Sequence, residues 1–169
     1  MLLLSTGIEQ LRSFMKRDYP DRPIVGVGAV IIERGRALLV RRGTPPLQGE
    51  WSIPGGVVEL GETLREAAAR EAKEETGLEV EAGEVLEIVD RIIHDPERKV
   101  QYHYVLVDFL CRRISGEAKA GADARDIRWI TAEELKCFPM SDSAAAVLGK
   151  GFKAQTKTAR SSSELAGRR

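Results

Sequence analysis

The sequence predicts an α+β fold, an αβα sandwich built on a mixed β-sheet, and three observations carry that prediction. Runs rich in β-branched residues recur between turn signals at 24–33, 37–43, 78–93, 100–113 and 126–130. One helix lies among them, in "GETLREAAAREAKEETG", with both ends marked: Thr63 and Glu66 stand at capping-box spacing, and Gly77 fits the position after the last turn. A second helical run, "SDSAAAVLGKGF", closes the domain, so strands with helices on either side form the simplest layered solution.

Taken in order, "TGIEQLRSFMKRD" places Ile8, Leu11, Phe14 and Met15 at helical spacing, so residues 1–20 are expected to supply an N-terminal docking helix, broken by "YPDRP". "IVGVGAVIIE" and "ALLVRRG", separated by "RGR", read as a hairpin. The loop "TPPLQGEW" leads through "SIPGGVVEL", a short strand and a Gly-Gly bend, into the capped helix. "LEVEAGEVLEIVDRII" is a long or broken strand, joined by a turn at "HDPER" to the long strand "VQYHYVLVDFLCRR". "SGEAKAG" is a loop, "DIRWI" a last strand and "TAEELKCF" a short helix. From Lys153 the chain is small, polar and basic without apolar periodicity, which sets off 153–169 as a flexible tail behind a folded domain at 21–152.

The 169 residues suffice for one domain with a proper core. Zero net charge argues against nucleic acid as an obligatory partner. No apolar run approaches the roughly 20 residues that cross a bilayer, and "MLLLSTG" lacks the form of a signal peptide, so the expectation is a cytoplasmic protein. Cys111 and Cys137 are far apart and form no C-x-x-C, as suits reduced structural thiols.

The capped helix carries an anomaly. Leu64, Ala67 and Ala68 define one stripe, and Glu71, Glu74 and Glu75 continue it, while Arg65, Glu66, Arg70 and Lys73 occupy the opposite face. Clustered carboxylates beside a core repel one another when ionised. They become favourable if a divalent cation fills the cluster, and a few carboxylates plus a substrate phosphate is the ligand set that magnesium prefers.

With these residues in view, the sequence resembles the Nudix hydrolases, whose box runs Gly, five residues, Glu, seven residues, then Arg-Glu-apolar-x-Glu-Glu-x-Gly-apolar. Gly56, Glu62, Arg70, Glu71, Ala72, Glu74, Glu75, Gly77 and Leu78 meet it in order, with Ala72 smaller than the usual bulky aliphatic. Seven specified types at fixed spacing arise by chance roughly once in 10⁸ starts. The resemblance extends through "ALLVRRG", "WSIPGG" and "DIRWITAEEL".

The resemblance implies the Nudix αβα sandwich as fold and, as activity, hydrolysis of a nucleoside diphosphate linked to another group, with Mg2+ or Mn2+ as cofactor. By the same resemblance Glu74, Glu75 and the Gly55 carbonyl are metal ligands, and Glu71 is either a further ligand or the base that orients water. Arg70 and Glu62 hold the carboxylates in place, and Gly55 and Gly56 let backbone approach metal and phosphate. Asp123 is either another acidic ligand or a turn residue. Arg41 and Arg42 point to opposite faces of a strand, so at most one reaches substrate phosphates. Trp51, Tyr102, His103 and Tyr104 either stack a base or pack the sheet. The partner is a small nucleotide, not a membrane, and a homodimer is compatible with the chain. ADP-ribose or a similar nucleotide sugar leads as substrate, in keeping with Pro96 downstream of the box. Oxidised nucleoside triphosphates come second, and a ligand sensor without catalysis is the third reading.

Overall fold

The structure, a computed structural model, describes residues 16–43, 48–121 and 124–166, with side chains to Lys157. Its elements are β1 (Ile24–Glu33), β2 (Arg36–Arg42), β3 (Trp51–Ser52), β4 (Gly55–Val57), α1 (Leu64–Thr76), β5 (Glu79–His94), β6 (Val100–Ser115) and β7 (Ala124–Ile130), then a 3₁₀ turn at Glu133–Cys137 and α2 (Asp142–Ala166). The expected α+β sandwich is present.

β1 and β2 form the anticipated hairpin. Arg34 (φ 48°) and Gly35 (φ 74°) supply the two left-handed residues that a two-residue turn needs to match strand twist. β1 then serves two partnerships. Its first eight residues pair in parallel with β6, from Ile24 opposite Tyr104 to Ile31 opposite Cys111, and Gly26–Gly28 also pair antiparallel with β4. At its end only Ile32 and Glu33 pair with β2, which diverges to pair with β7 and β3. β5 and β6 form a long antiparallel hairpin whose register shifts near Ala82–Glu87, so of the two alternatives the strand is long and bulged rather than broken.

Strand alternation sorts the core into two layers. Val27, Ala29, Ile31, Val107, Phe109 and Cys111 pack with Ala67, Ala68 and Ala72 of α1. Val30, Ile32, Leu39 and Ile53 pack on the other face with Val147 and Leu148 of α2. Ala72 is fully buried, in the same cluster as Ala67 and Ala68. Leu64, expected on the apolar stripe, is 37% exposed; the buried face is Ala67, Ala68, Ala72 and Thr76.

At one end the described residues reach only the edge of an expected element, and at the other an expectation needs revision. Residues 1–15 of the predicted docking helix lie outside the described residues, while Lys16–Pro20 are not helical and Tyr19 takes φ 51°. Pro20 disfavours the helical region for the residue before it. At the other end α2 continues past Lys153 to Ala166, into the stretch expected to be a tail. No proline interrupts it, and Gln155 Nε2 donates to the Ile32 carbonyl at 2.7 Å, tying the extension to the sheet. Among the described residues no helix is long and apolar enough to cross a membrane.

Candidate active site

The predicted caps fix α1. The Thr63 side chain accepts from the Glu66 N–H, Glu66 reaches back to the Thr63 N–H at 2.7 Å, and Gly77 ends the helix at φ 73° with its N–H on the Lys73 carbonyl. Beyond it, the Lys119 and Gly121 N–H groups donate to the carbonyls of Thr76 and Glu75, both at 2.9 Å, so the loop before β7 caps the same helix end.

With both ends fixed, the helix turns its glutamates toward the Gly-Gly strand. Glu75 Oε2 accepts the Gly55 N–H at 3.0 Å. A Cβ on Gly56 would run into the Glu71 carboxylate, so the absence of a side chain there is what admits the acid. The Glu71 side chain is only 14% exposed, whereas Glu74 is 39% exposed at the rim.

Arg70 binds this arrangement together. The sequence places it on the solvated face, but its long side chain bends inward, where Nε and Nη2 make a bidentate pair with Glu62 at 3.0 and 2.6 Å. Nη1 donates to Glu71 at 2.8 Å and lies 3.5 Å from Glu74, and Nη2 also donates to the Val57 carbonyl at 3.1 Å. The hydrogen bonds to Glu62 raise the arginine pKa further, and Arg70 in turn holds the Glu62 carboxyl below its ordinary range. Among the described residues no three His, Cys, Asp or Glu side chains form a preassembled metal cluster; Glu62, Glu71 and Glu74 share the guanidinium instead.

Arg70→Met is therefore expected to destabilise the protein by about 1–3 kcal/mol at pH 7, less than for a fully buried pair because solvent screens the site. Arg70→Lys restores only part, since an ammonium cannot bridge in a fork. Because the pair depresses the Glu62 pKa, its contribution is present above the ordinary carboxylate range and lost as pH falls through the folded value. Urea melts at pH 7 and pH 4 check this; equal stability of Arg70→Met and the parent at pH 7 would refute it.

The remaining expected residues divide. Arg41 folds back, its Nε donating to the Gly49 carbonyl at 3.0 Å. Arg42 instead lies near Arg91 and Tyr104. Trp51 is buried, with its ring edge-on to Phe138 at 5.3 Å. Tyr104 is nearly buried and stacks on Tyr102 at 6.3 Å between centroids. Asp123 lies outside the described residues.

Two charged residues escape the sequence reading. Asp108, 5% exposed, sits on β6 beside Gly28, and burial alone pushes its carboxyl up to about 6. Arg91, opposite Tyr104 on β5, has its pKa lowered by burial and then by nearby Arg42. Their signal was a charge inside an apolar run, "VLVDFLC" and "IVDRII".

Comparison with known proteins places this arrangement. The chain is 36% identical over 113 residues to an ADP-ribose pyrophosphatase of Methanocaldococcus jannaschii, covering 67% of this chain and 64% of that protein. It is 41% identical over 114 residues to a putative 8-oxo-dGTP diphosphatase 2 of Mycobacterium tuberculosis, covering 66% and 75%. A solved ADP-ribose pyrophosphatase of Streptococcus suis superposes with a TM-score of 0.63 at 26% identity, covering 79% and 92%. The model of the NUDIX domain matches residues 22–149, a span that takes in the Gly55–Gly56 strand, all of α1 and the sheet against which it packs: the chain belongs to the Nudix family.

Proposed function

We propose that the protein hydrolyses a pyrophosphate bond in a nucleoside diphosphate linked to another group, ADP-ribose or a similar nucleotide sugar, with magnesium as the metal. The observation that carries this reading is the approach of the Glu71 and Glu75 carboxylates to Gly55 and Gly56, where backbone alone faces them. Names of relatives lend support, since ADP-ribose pyrophosphatases stand among both the sequence matches and the structural neighbours. The putative 8-oxo-dGTP diphosphatase, at 41% identity, favours oxidised nucleoside triphosphates as the second reading.

The donor set fits a hard divalent cation: glutamate oxygens gather toward one helix end, next to Gly55 and Gly56, which carry no side chains. Glu74, Glu75 and the Gly55 carbonyl would hold the ion, with Glu71 as a further ligand or as the base that orients water. When bound, such an ion neutralises pyrophosphate charge and acidifies water. The chain's own residues do the positioning. Arg70 fixes the rotamers of Glu62 and Glu71, Gly55 and Gly56 let phosphate oxygens come near backbone, and Arg42 supplies positive charge on the substrate side. Asp123 is retained as a candidate ligand: Gly121, two residues before it, is hydrogen-bonded to the Glu75 carbonyl.

The test is a panel of ADP-ribose, other nucleotide sugars, dinucleoside polyphosphates, NADH, and normal and oxidised nucleoside triphosphates, each incubated with protein and magnesium. AMP should appear from ADP-ribose, and magnesium should raise the melting temperature by binding the folded state. Undiminished turnover in excess chelator would remove the metal from the mechanism. Tight binding without product anywhere on the panel would make the protein a sensor.

A further inference from the structure

The α2 side of the sheet carries a buried charge that the proposed hydrolysis does not use. Asp108 lies flat against β1, where a Cβ on Gly28 would run into its carboxylate, and Ile53 crowds the same spot. No hydrogen bond from the described residues is donated to it, and the residue is 5% exposed. An unpaired carboxyl so placed is unfavourable for folding unless something else completes it.

The surroundings define what that is. Gly55, Gly28 and Asp108 stand side by side across three strands, so Asp108 is about 10 Å, two strand spacings, from the glycine that Glu75 holds. One nucleoside spans that separation. Leu106 and Tyr104 follow Asp108 on the same face of β6, and Ile53 stands on the other side, giving apolar and aromatic walls that suit a flat heterocycle. Arg17, Arg42 and Arg91 gather around Tyr104 at the rim. They oppose a cationic ligand and favour one that carries phosphate. An ionised carboxylate only accepts hydrogen bonds, so the ligand must bring a neutral donor.

We propose that Asp108 is a specificity residue that reads the base of the substrate, accepting a hydrogen bond from an amino group such as that of adenine. This rests on the nucleotide reading above, and the experiment separates the two. Binding of AMP and of IMP, which carries a carbonyl where AMP carries the amino group, is measured by calorimetry with magnesium, alongside AMP release from ADP-ribose. The parent should bind AMP about tenfold more tightly than IMP, the scale of one hydrogen bond to a charged group. In Asp108→Asn, whose amide both donates and accepts, the two affinities should converge to within about twofold. Asp108→Ala, smaller and without polar side-chain atoms, should also lose the preference. An unchanged AMP-to-IMP ratio in both variants, or a parent that binds neither nucleotide, overturns the proposal. A preference that disappears with Asp108 while ADP-ribose stays intact would instead refute the hydrolysis and leave the base-reading role standing.

Discussion

Glu71→Gln and Glu75→Gln are each expected to lower magnesium-supported turnover about 10²- to 10⁴-fold, the range lost with a general acid–base group, while the fold survives. Glutamine keeps the length of the side chain and a carbonyl oxygen that can still accept the Gly55 N–H, so the helix–strand contact at 3.0 Å is preserved and the negative charge alone is removed. Arg70 keeps its bidentate bond to Glu62 in either variant, so the guanidinium is not stranded. Relief of repulsion among the carboxylates favours Glu75→Gln in the absence of metal, whereas Glu71→Gln also gives up its charged bond to Arg70. The check is kcat at saturating substrate and magnesium, beside melting curves without metal. Variants that turn over within tenfold of the parent would remove these glutamates from the chemistry, and variants that unfold would make them structural.

What the sequence disclosed was mostly local in origin. The Thr63–Glu66 box, the Gly77 cap and the Arg34–Gly35 turn each depend on a few neighbouring residues, and each formed as expected. The glutamates were legible because the box fixes their spacing on one helix. Their partners were less so. Helical phase put Arg70 with the solvated residues, but a side chain of that length can bend back over the edge of the helix, and four oxygens of Glu62, Glu71 and Glu74 repay its desolvation. The forked course of β1 and its parallel pairing with β6 depend on register between segments some 80 residues apart, which no local pattern specifies. Leu64 shows the same limit, since the axis of contact with the sheet runs through the alanines and Thr76. Asp108 was hidden by its company: inside "VLVDFLC" it reads as a single interruption of a strand, and only the glycine opposite reveals how the carboxylate is housed.

The housing of Asp108 carries a second large effect, on stability. Asp108→Asn should stabilise the protein by about 3 kcal/mol at pH 7.5, the free energy that separates an ordinary carboxyl at 3.8 from one at about 6. The sign comes from linkage. The folded pKa is raised by burial, so the folded chain holds its proton where the unfolded chain has released it. Stability from this group is complete below the unfolded value and is lost as pH rises through the folded value, leaving the full penalty at neutral pH. Asparagine never ionises and escapes it. The advantage of the variant should shrink to about 1 kcal/mol near pH 4.5, where the folded aspartic acid is already neutral. For a domain of this size the neutral-pH gain corresponds to a rise in melting temperature of about 6–12 °C. Melting curves of parent and variant at pH 7.5 and 4.5 decide the matter: a difference independent of pH, or a variant less stable at pH 7.5, would show that Asp108 is not an unpaired buried charge. A gain in stability that coincides with loss of the AMP preference is the trade expected of a residue kept for recognition, because proteins tolerate a buried charge at the site where a ligand completes it.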